Sequence, residues 1–359
     1  MKKYLFIAAA AMVAMVACNK EGKDAPRVSH DLQVPVQFGT YVAQTKTVAI
    51  TTDNITDFGV YGYYSDGADW SATLTPNFMF DQKVEGSHAG GFSYSPIKYW
   101  PNEASDKLSF FAYAPYKSST NGIAEYSANN AAGAPTIRYT FPAEESNQVD
   151  ILWATPVLNK VRDNDGDISK KIQFSFNHAL SRLGLQVRYL ADQVNVGGTI
   201  GEATAAATKI YLNSVTFTST FASSGILNLQ DGSWDSVVAG SSKSFTREFG
   251  AGEAGSLVSN ENAAFISGDD YVMMMPQAGA QSIDVQVVYT VVTEDASLSG
   301  GKSIITNTIS NSTSLSAQHG YTYDLVLVLG LESVKFDAPI VSEWGAGENT
   351  EVDLPINNA

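Results

Sequence analysis

The sequence predicts an all-β chain of more than one β-sandwich, and three observations carry that expectation. Apolar residues recur at every second position in many short segments, which puts one set of side chains on one face of a strand. After residue 20 no amphipathic helix exceeds about three turns. Tyr (17), Phe (17) and Trp (5) are abundant. These residues favour pleated surfaces, and Gly, Asn, Asp and Ser cluster between the apolar segments. Strands without intervening helices form sandwiches or barrels, not βαβ units. The 359 residues suggest about two domains, at roughly 150 residues each, and each half is long enough to bury its own core.

The chain opens with Lys2 and Lys3 before an apolar run, Tyr4 to Val16. That run has the length of a signal-peptide core and is too short for a permanent membrane span. It ends in Met15-Val16-Ala17-Cys18, with the only cysteine last. These four residues resemble the lipobox of bacterial lipoproteins, although Met15 replaces the commoner Leu. The resemblance implies cleavage after residue 17 and lipid on Cys18. Several acyl chains there would anchor the protein stably. Residues 18–30 are polar and aperiodic, and read as a flexible tether.

Leu32, Val34, Val36 and Phe38 alternate with Gln33, Pro35 and Gln37 and predict the first strand. Ile172, Phe174 and Phe176 predict another, followed by Leu185, Val187 and Tyr189 after Arg182. Val215 and Phe217 form a shorter pair. Ile283, Val285, Val287, Tyr289 and Val291 continue the pattern, as do Tyr321, Tyr323, Leu325, Leu327 and Leu329, then Val334 and Phe336. Such alternation marks half-buried antiparallel strands. The clusters 131–135 and 163–167 read as loops, and Gly201 to Thr208 as one or two helical turns. The expected division is 31–178 for the first sandwich and 179–359 for the second.

The formal net charge of −15 argues against nucleic acid, because phosphate binding is driven by Lys and Arg releasing counterions. It argues equally against a basic face for anionic lipid. Gly250-Ala251-Gly252-Glu253-Ala254-Gly255 fits the spacing of a dinucleotide loop. That motif needs a following helix N-terminus, and Ser256-Leu257-Val258-Ser259-Asn260 is a poor helix. Gly301-Lys302-Ser303 ends like a phosphate loop, but the earlier glycine position holds Ala296. Asp163, Asp165 and Asp167 alternate around Gly166 like the start of a calcium loop. The twelfth position of such a loop is Phe174 instead of Glu, so a solvated turn is the expectation. His30, His88, His178 and His319 are far apart in sequence, and His178 reads as a structural residue at a strand end. No G-x-S-x-G or H-E-x-x-H is present. The expectation is no enzyme, no cofactor and no metal. Trp70, Trp100, Trp153, Trp234 and Trp344 read mainly as core. The alternative is a surface carbohydrate-binding lipoprotein stacking sugars on exposed Trp70 and Trp234.

Several segments resemble the fimbrillin family, the type V pilins of Bacteroidota. They are the lipobox at Cys18, then Val34-Pro35-Val36-Gln37-Phe38 with Thr45-Lys46. Next come Tyr99-Trp100-Pro101 and Leu108-Ser109-Phe110-Phe111-Ala112-Tyr113-Ala114-Pro115-Tyr116. Asp150-Ile151-Leu152-Trp153-Ala154 and Phe174-Ser175-Phe176-Asn177-His178-Ala179-Leu180-Ser181-Arg182-Leu183 follow. Tyr321-Thr322-Tyr323-Asp324-Leu325 and Val341-Ser342-Glu343-Trp344 complete the set. The resemblance implies two transthyretin-like β-sandwiches and a lipoprotein of the outer membrane that becomes part of a surface fimbria supporting adhesion. A trypsin-like protease would cut after Lys46, matching the family's Thr-Arg, with Arg27 as the alternative. The cut would remove the strand carrying Leu32, Val34, Val36 and Phe38. A C-terminal strand of the next subunit, carrying Val352, Leu354 and Ile356, would fill the opened groove by β-strand addition. Pro355 lacks an amide hydrogen and fits a central ladder poorly. The stalk subunit, anchor and tip adhesin share this fold, and no surface ligand is named by these residues.

Overall fold

The computed structural model describes residues 34–42, 54–162, 171–190, 208–331 and 333–344. Among them lie three short 3-10 turns and twenty-two strands. In order these begin β1 (Phe38–Val42), β2 (Asp57–Ser65), β3 (Met79–Ser87), β4 (Gly91–Ser93), β5 (Lys107–Ala114) and β6 (Ile123–Glu125). Then come β7 (Thr136–Thr140), β8 (Leu152–Ala154), β9 (Val157–Lys160), β10 (Ile172–His178) and β11 (Ser181–Tyr189). The chain continues with β12 (Thr208–Ser219), β13 (Ala222–Asn228), β14 (Trp234–Ala239), β15 (Lys243–Glu248), β16 (Ser256–Leu257) and β17 (Ala263–Ile266). It ends with β18 (Val272–Met274), β19 (Gln281–Glu294), β20 (Lys302–Leu315), β21 (Tyr321–Leu329) and β22 (Val334–Glu343). No helix among the described residues is long and apolar enough to cross a membrane.

The first sheet runs β1-β10-β8-β5-β2-β3-β4, with β9 also on β5. One face carries Phe38, Phe58, Val60, Val84, Phe110, Leu152, Phe174 and Phe176 into a single core. β1 and β4, the two ends of this path, lie beside each other, so the sheet curls around its own apolar face. β2 and β5 are buried on both faces. Phe58, Val60, Phe110 and Ala112 point into that core, while Tyr61, Tyr63, Phe111 and Tyr113 point out of it into another.

The second half is a sandwich of two five-stranded sheets, β17-β11-β21-β22 with β18, and β15-β12-β19-β20 with β16. Leu183, Leu185, Val187, Leu325, Leu327 and Leu329 face Leu212, Val215, Phe217, Val285, Val287 and Tyr289 across it. β12 carries a bulge between Leu212 and Ser214, which turns Asn213 inward. The Asn213 side-chain amide donates to Gly250 O and Gly252 O at 2.9 and 2.8 Å, and its oxygen accepts from Thr290 Oγ1. The glycine-rich turn thus aims its carbonyls at Asn213, whereas a phosphate cradle needs amides aimed at the ligand.

A four-stranded sheet, β14-β13-β7-β6, ties the halves together. Strands from both sides of residue 178 pair in it, from Ser224↔Thr140 to Asn228↔Thr136. It covers a third core, in which Tyr61, Phe111, Tyr113 and Tyr139 meet Leu180, Leu227, Leu229 and Trp344. The turn into β6 needs Gly122. Its φ is +74°, and a Cβ there would lie 2.0 Å from Thr140 O.

Candidate assembly site

The first described segment lies in the groove that the curled sheet leaves open. Pro35 bridges Tyr99, Val36 N donates to Lys98 O and Trp100 N donates to Val34 O, both at 2.9 Å. From Phe38 the chain changes partner and runs parallel to β10, from Phe38↔Ile172 to Val42↔Phe176. The strand therefore begins at Phe38, later than alternation from Leu32 implies. Pro35 has no amide to extend a ladder, so residues 34–36 make a bridge instead of a strand, and Gln37 O accepts from Ile172 N at 2.8 Å where the ladder with β10 begins.

β1 is an edge strand with one ladder, yet its inward side chains sit deep. Val36 and Phe38 are each 1% exposed. The Phe38 ring stacks on Phe174 at 5.6 Å and meets Phe110 edge-on at 5.6 Å, Tyr94 at 5.4 Å and Phe58 at 6.4 Å. Such burial contributes about 1.5–3 kcal/mol for each side chain. Tyr94 Oη donates to Val36 O at 2.8 Å, and burial pushes its phenol up. His88 Nδ1 donates to Thr40 O at 2.9 Å, clasping β1 to the turn between β3 and β4. Thr40 Oγ1 is buried without a hydrogen-bond partner.

Of the residues singled out in the sequence, Val34, Val36 and Phe38 come together here. Leu32, Cys18, Arg27, Lys46, Val352, Leu354, Ile356 and the carboxylates Asp163, Asp165 and Asp167 lie outside the described residues. So does 201–207 of the expected helical turn, and Thr208 opens β12 instead. No group of three His, Cys, Asp or Glu among the described residues could hold a metal.

A second cluster went unread in the sequence. His178 ends β10 and donates from Nδ1 to Asp150 Oδ2 at 2.8 Å, with both side chains buried. Its ring stacks on Trp344 at 4.3 Å and 5°. The Arg182 guanidinium lies 4.9 Å from the Trp344 ring and 4.2 Å from the Tyr271 ring. Burial lowers the Arg182 pKa and raises those of Tyr271 and Asp324 beside it. Gly184 makes room for this group, since a Cβ there would lie 2.1 Å from Asp324 Oδ1 and 2.3 Å from Tyr271 Cε1. Asp150, His178, Arg182, Tyr271 and Trp344 share no periodicity, so only folding unites them. Trp344 thus fixes the last described residue against the junction of the halves.

The five tryptophans do not form a sugar platform. Trp344 is buried, and Trp70, Trp153 and Trp234 are half-buried against the third core, Trp100 against the first. Trp70 packs edge-on to Tyr63, and Trp234 Nε1 donates to Ala179 O at 2.6 Å. This agrees with the reading of the tryptophans mainly as core, and the alternative of exposed Trp70 and Trp234 is not what the structure shows: both are half-buried against the third core. Lys302 of the phosphate-loop-like segment pairs with Glu253 and opens β20.

Comparison with known proteins agrees with this architecture. The chain is 23% identical over 392 aligned residues to the fimbrium subunit Fim1C of Phocaeicola vulgatus, covering 99% of this chain and 98% of that one. Its fold is similar to the crystal structure of a fimbrial protein from Bacteroides vulgatus. There the TM-score is 0.65 at 20% identity, over 86% of this chain and 99% of that one. A profile described as fimbrillin-like matches residues 44–344, which span β2 to Trp344 and with them the second and third cores and the first apart from Val36 and Phe38. On that match, this protein belongs to the fimbrillin-like family.

Proposed function

We propose that the protein is a structural, non-catalytic subunit of a cell-surface pilus, assembled by exchange of its first strand. The observation that carries this reading is the seating of Val36 and Phe38, core residues of the segment 34–42, whose strand β1 has a single ladder among the described residues. In the proposal Cys18 carries lipid into the outer membrane. A trypsin-like protease cuts after Lys46, or after Arg27, although the Arg27 cut would leave the strand in place. Cutting at Lys46 frees the segment through β1. The tail of the next subunit, with Val352, Leu354 and Ile356, then enters the groove: ladder bonds give affinity and alternate side chains fill the pockets. Head-to-tail joining of this kind grows a filament instead of closing a ring. The division into 31–178 and 179–359 belongs to the same proposal, with β13 and β14 bracing the first half from the second.

Limited trypsin treatment of the recombinant chain beginning at Cys18 tests it. The expected result is loss of the segment from Cys18 to Lys46, followed by oligomers on size-exclusion chromatography. A trimmed protein that stays monomeric under all conditions contradicts the proposal.

A further inference from the structure

Successive peptide groups of an extended chain point to alternate sides. In the first segment Gln37 O turns to β10 and accepts from Ile172 N at 2.8 Å. Val34, Val36 and Thr40 turn the other way, towards residues 88–100. Val36 meets them at both of its main-chain atoms. Val36 N donates to Lys98 O at 2.9 Å, and Val36 O accepts from Tyr94 Oη at 2.8 Å. Lys98 N donates to the same phenolic oxygen at 3.3 Å, and Lys98 O lies 3.3 Å from it. One peptide group thus pins the hydroxyl, and Lys98 O can take its proton when no strand is present.

Two further bonds of the same kind flank this one: Trp100 N donates to Val34 O and His88 Nδ1 to Thr40 O, each at 2.9 Å. Tyr94 is the buried member of the set, and its ring lies 5.4 Å from that of Phe38. In all of these bonds the first segment contributes main-chain atoms alone. They depend on where its peptide groups lie and not on which side chains it carries, so a strand of different sequence can make them too.

We propose that Tyr94 and Lys98 form a backbone clamp that sets the register of the strand in the groove, and that the clamp closes on Leu354 of the incoming tail. The inference rests on the strand-exchange reading, with the tail running in the direction of β1. The clamp needs a free N–H, so proline cannot occupy the Val36 position. Val36, Phe38 and Thr40 are buried, with Gln37 and Gly39 half-buried between them. Val352, Leu354 and Ile356 accordingly take inward positions, and Pro355 an outward one. At the Gly39 position Pro355 would interrupt the ladder with β10. At the Pro35 position it would bring Asn358 into the aromatic site of Phe38, burying an amide among rings. At the Gln37 position it stands just before the ladder. Leu354 then lies in the clamp, Ile356 fills the Phe38 site, and Asn358 replaces Thr40, the inward residue that is already polar.

Release kinetics test this. The chain beginning at Cys18 is given a site for a sequence-specific protease after Lys46, labelled at its only cysteine and cut. Loss of the labelled segment into excess unlabelled peptide is followed by fluorescence anisotropy. The measurement is repeated once a labelled tail peptide, residues 346–359, has replaced the segment. Tyr94→Phe keeps the ring and removes only the hydroxyl. It is expected to speed release of both strands about tenfold, the effect of roughly one buried hydrogen bond. Methylating the Leu354 amide of the tail peptide should weaken its capture by a similar factor, and methylating the Val352 amide should not. The methylated peptides are tested on the unaltered chain, so this arm stands even if the Tyr94 variant folds poorly. A tail peptide that never replaces the segment overturns strand exchange and this inference with it. Where the tail peptide is captured, release unchanged by Tyr94→Phe, or greater sensitivity at Val352 than at Leu354, overturns the clamp alone.

Discussion

Phe38→Ala is expected to lower stability by about 3–5 kcal/mol, the usual cost of emptying a buried phenylalanine site. The ring is 1% exposed and touches four other aromatic rings from β2, β5, β10 and the Tyr94 segment. Three of these rings, Phe58, Phe110 and Phe174, are carried by paired strands, which limits how far the groove can collapse, so a residual cavity adds its cost to the lost transfer energy. Urea titration is the check. The midpoint should fall with little change in slope, since the surface exposed on unfolding is nearly the same. A loss below about 1 kcal/mol, small for such a truncation, would mean that the segment contributes little to the fold. The plug account needs the opposite: a groove expensive to leave empty, and so driven to take another strand.

His178→Ala should cost about 1–3 kcal/mol, the range for leaving a buried hydrogen-bond partner unsatisfied, with the lost ring packing added. Asp150 would lose the imidazole N–H at 2.8 Å, and the face of Trp344 now stacked on the ring would open. A double-mutant cycle with Asp150→Asn separates the two effects. Coupling above about 0.5 kcal/mol identifies the pair as an interacting unit; additive losses would assign the cost to ring packing alone.

The legible strands are those whose apolar residues recur at every second position, although in β21 the intervening Val326 and Val328 are buried too. Ile172 to Phe176, Ile283 to Val291 and Tyr321 to Leu329 alternate, and they lie in β10, β19 and β21. β5 was visible only through family resemblance. Phe110 and Phe111 adjoin because each faces a different core, which erases the period-two signal. Alternation from Leu32 to Phe38 pointed to a strand whose regular ladder actually spans Phe38 to Val42. Nothing local could reveal its parallel pairing with β10, because its partner lies far along the chain. The His178 cluster was illegible for the same reason: Asp150 stands 28 residues before His178, with no repeat linking them. The lack of a helix after Gly250–Gly255 was legible, but the role of this glycine-rich turn as acceptor for Asn213 depends on a bulge that alternation does not encode.

The most direct measurement is the N-terminal mass of the protein once it is part of surface fibres. The account predicts that fibre-borne chains begin immediately after Lys46, with neither the lipid of Cys18 nor residues 34–42 attached. Fibre-borne chains that still start at an acylated Cys18 would contradict it, because the groove would then hold its own strand and have no place for a neighbour's.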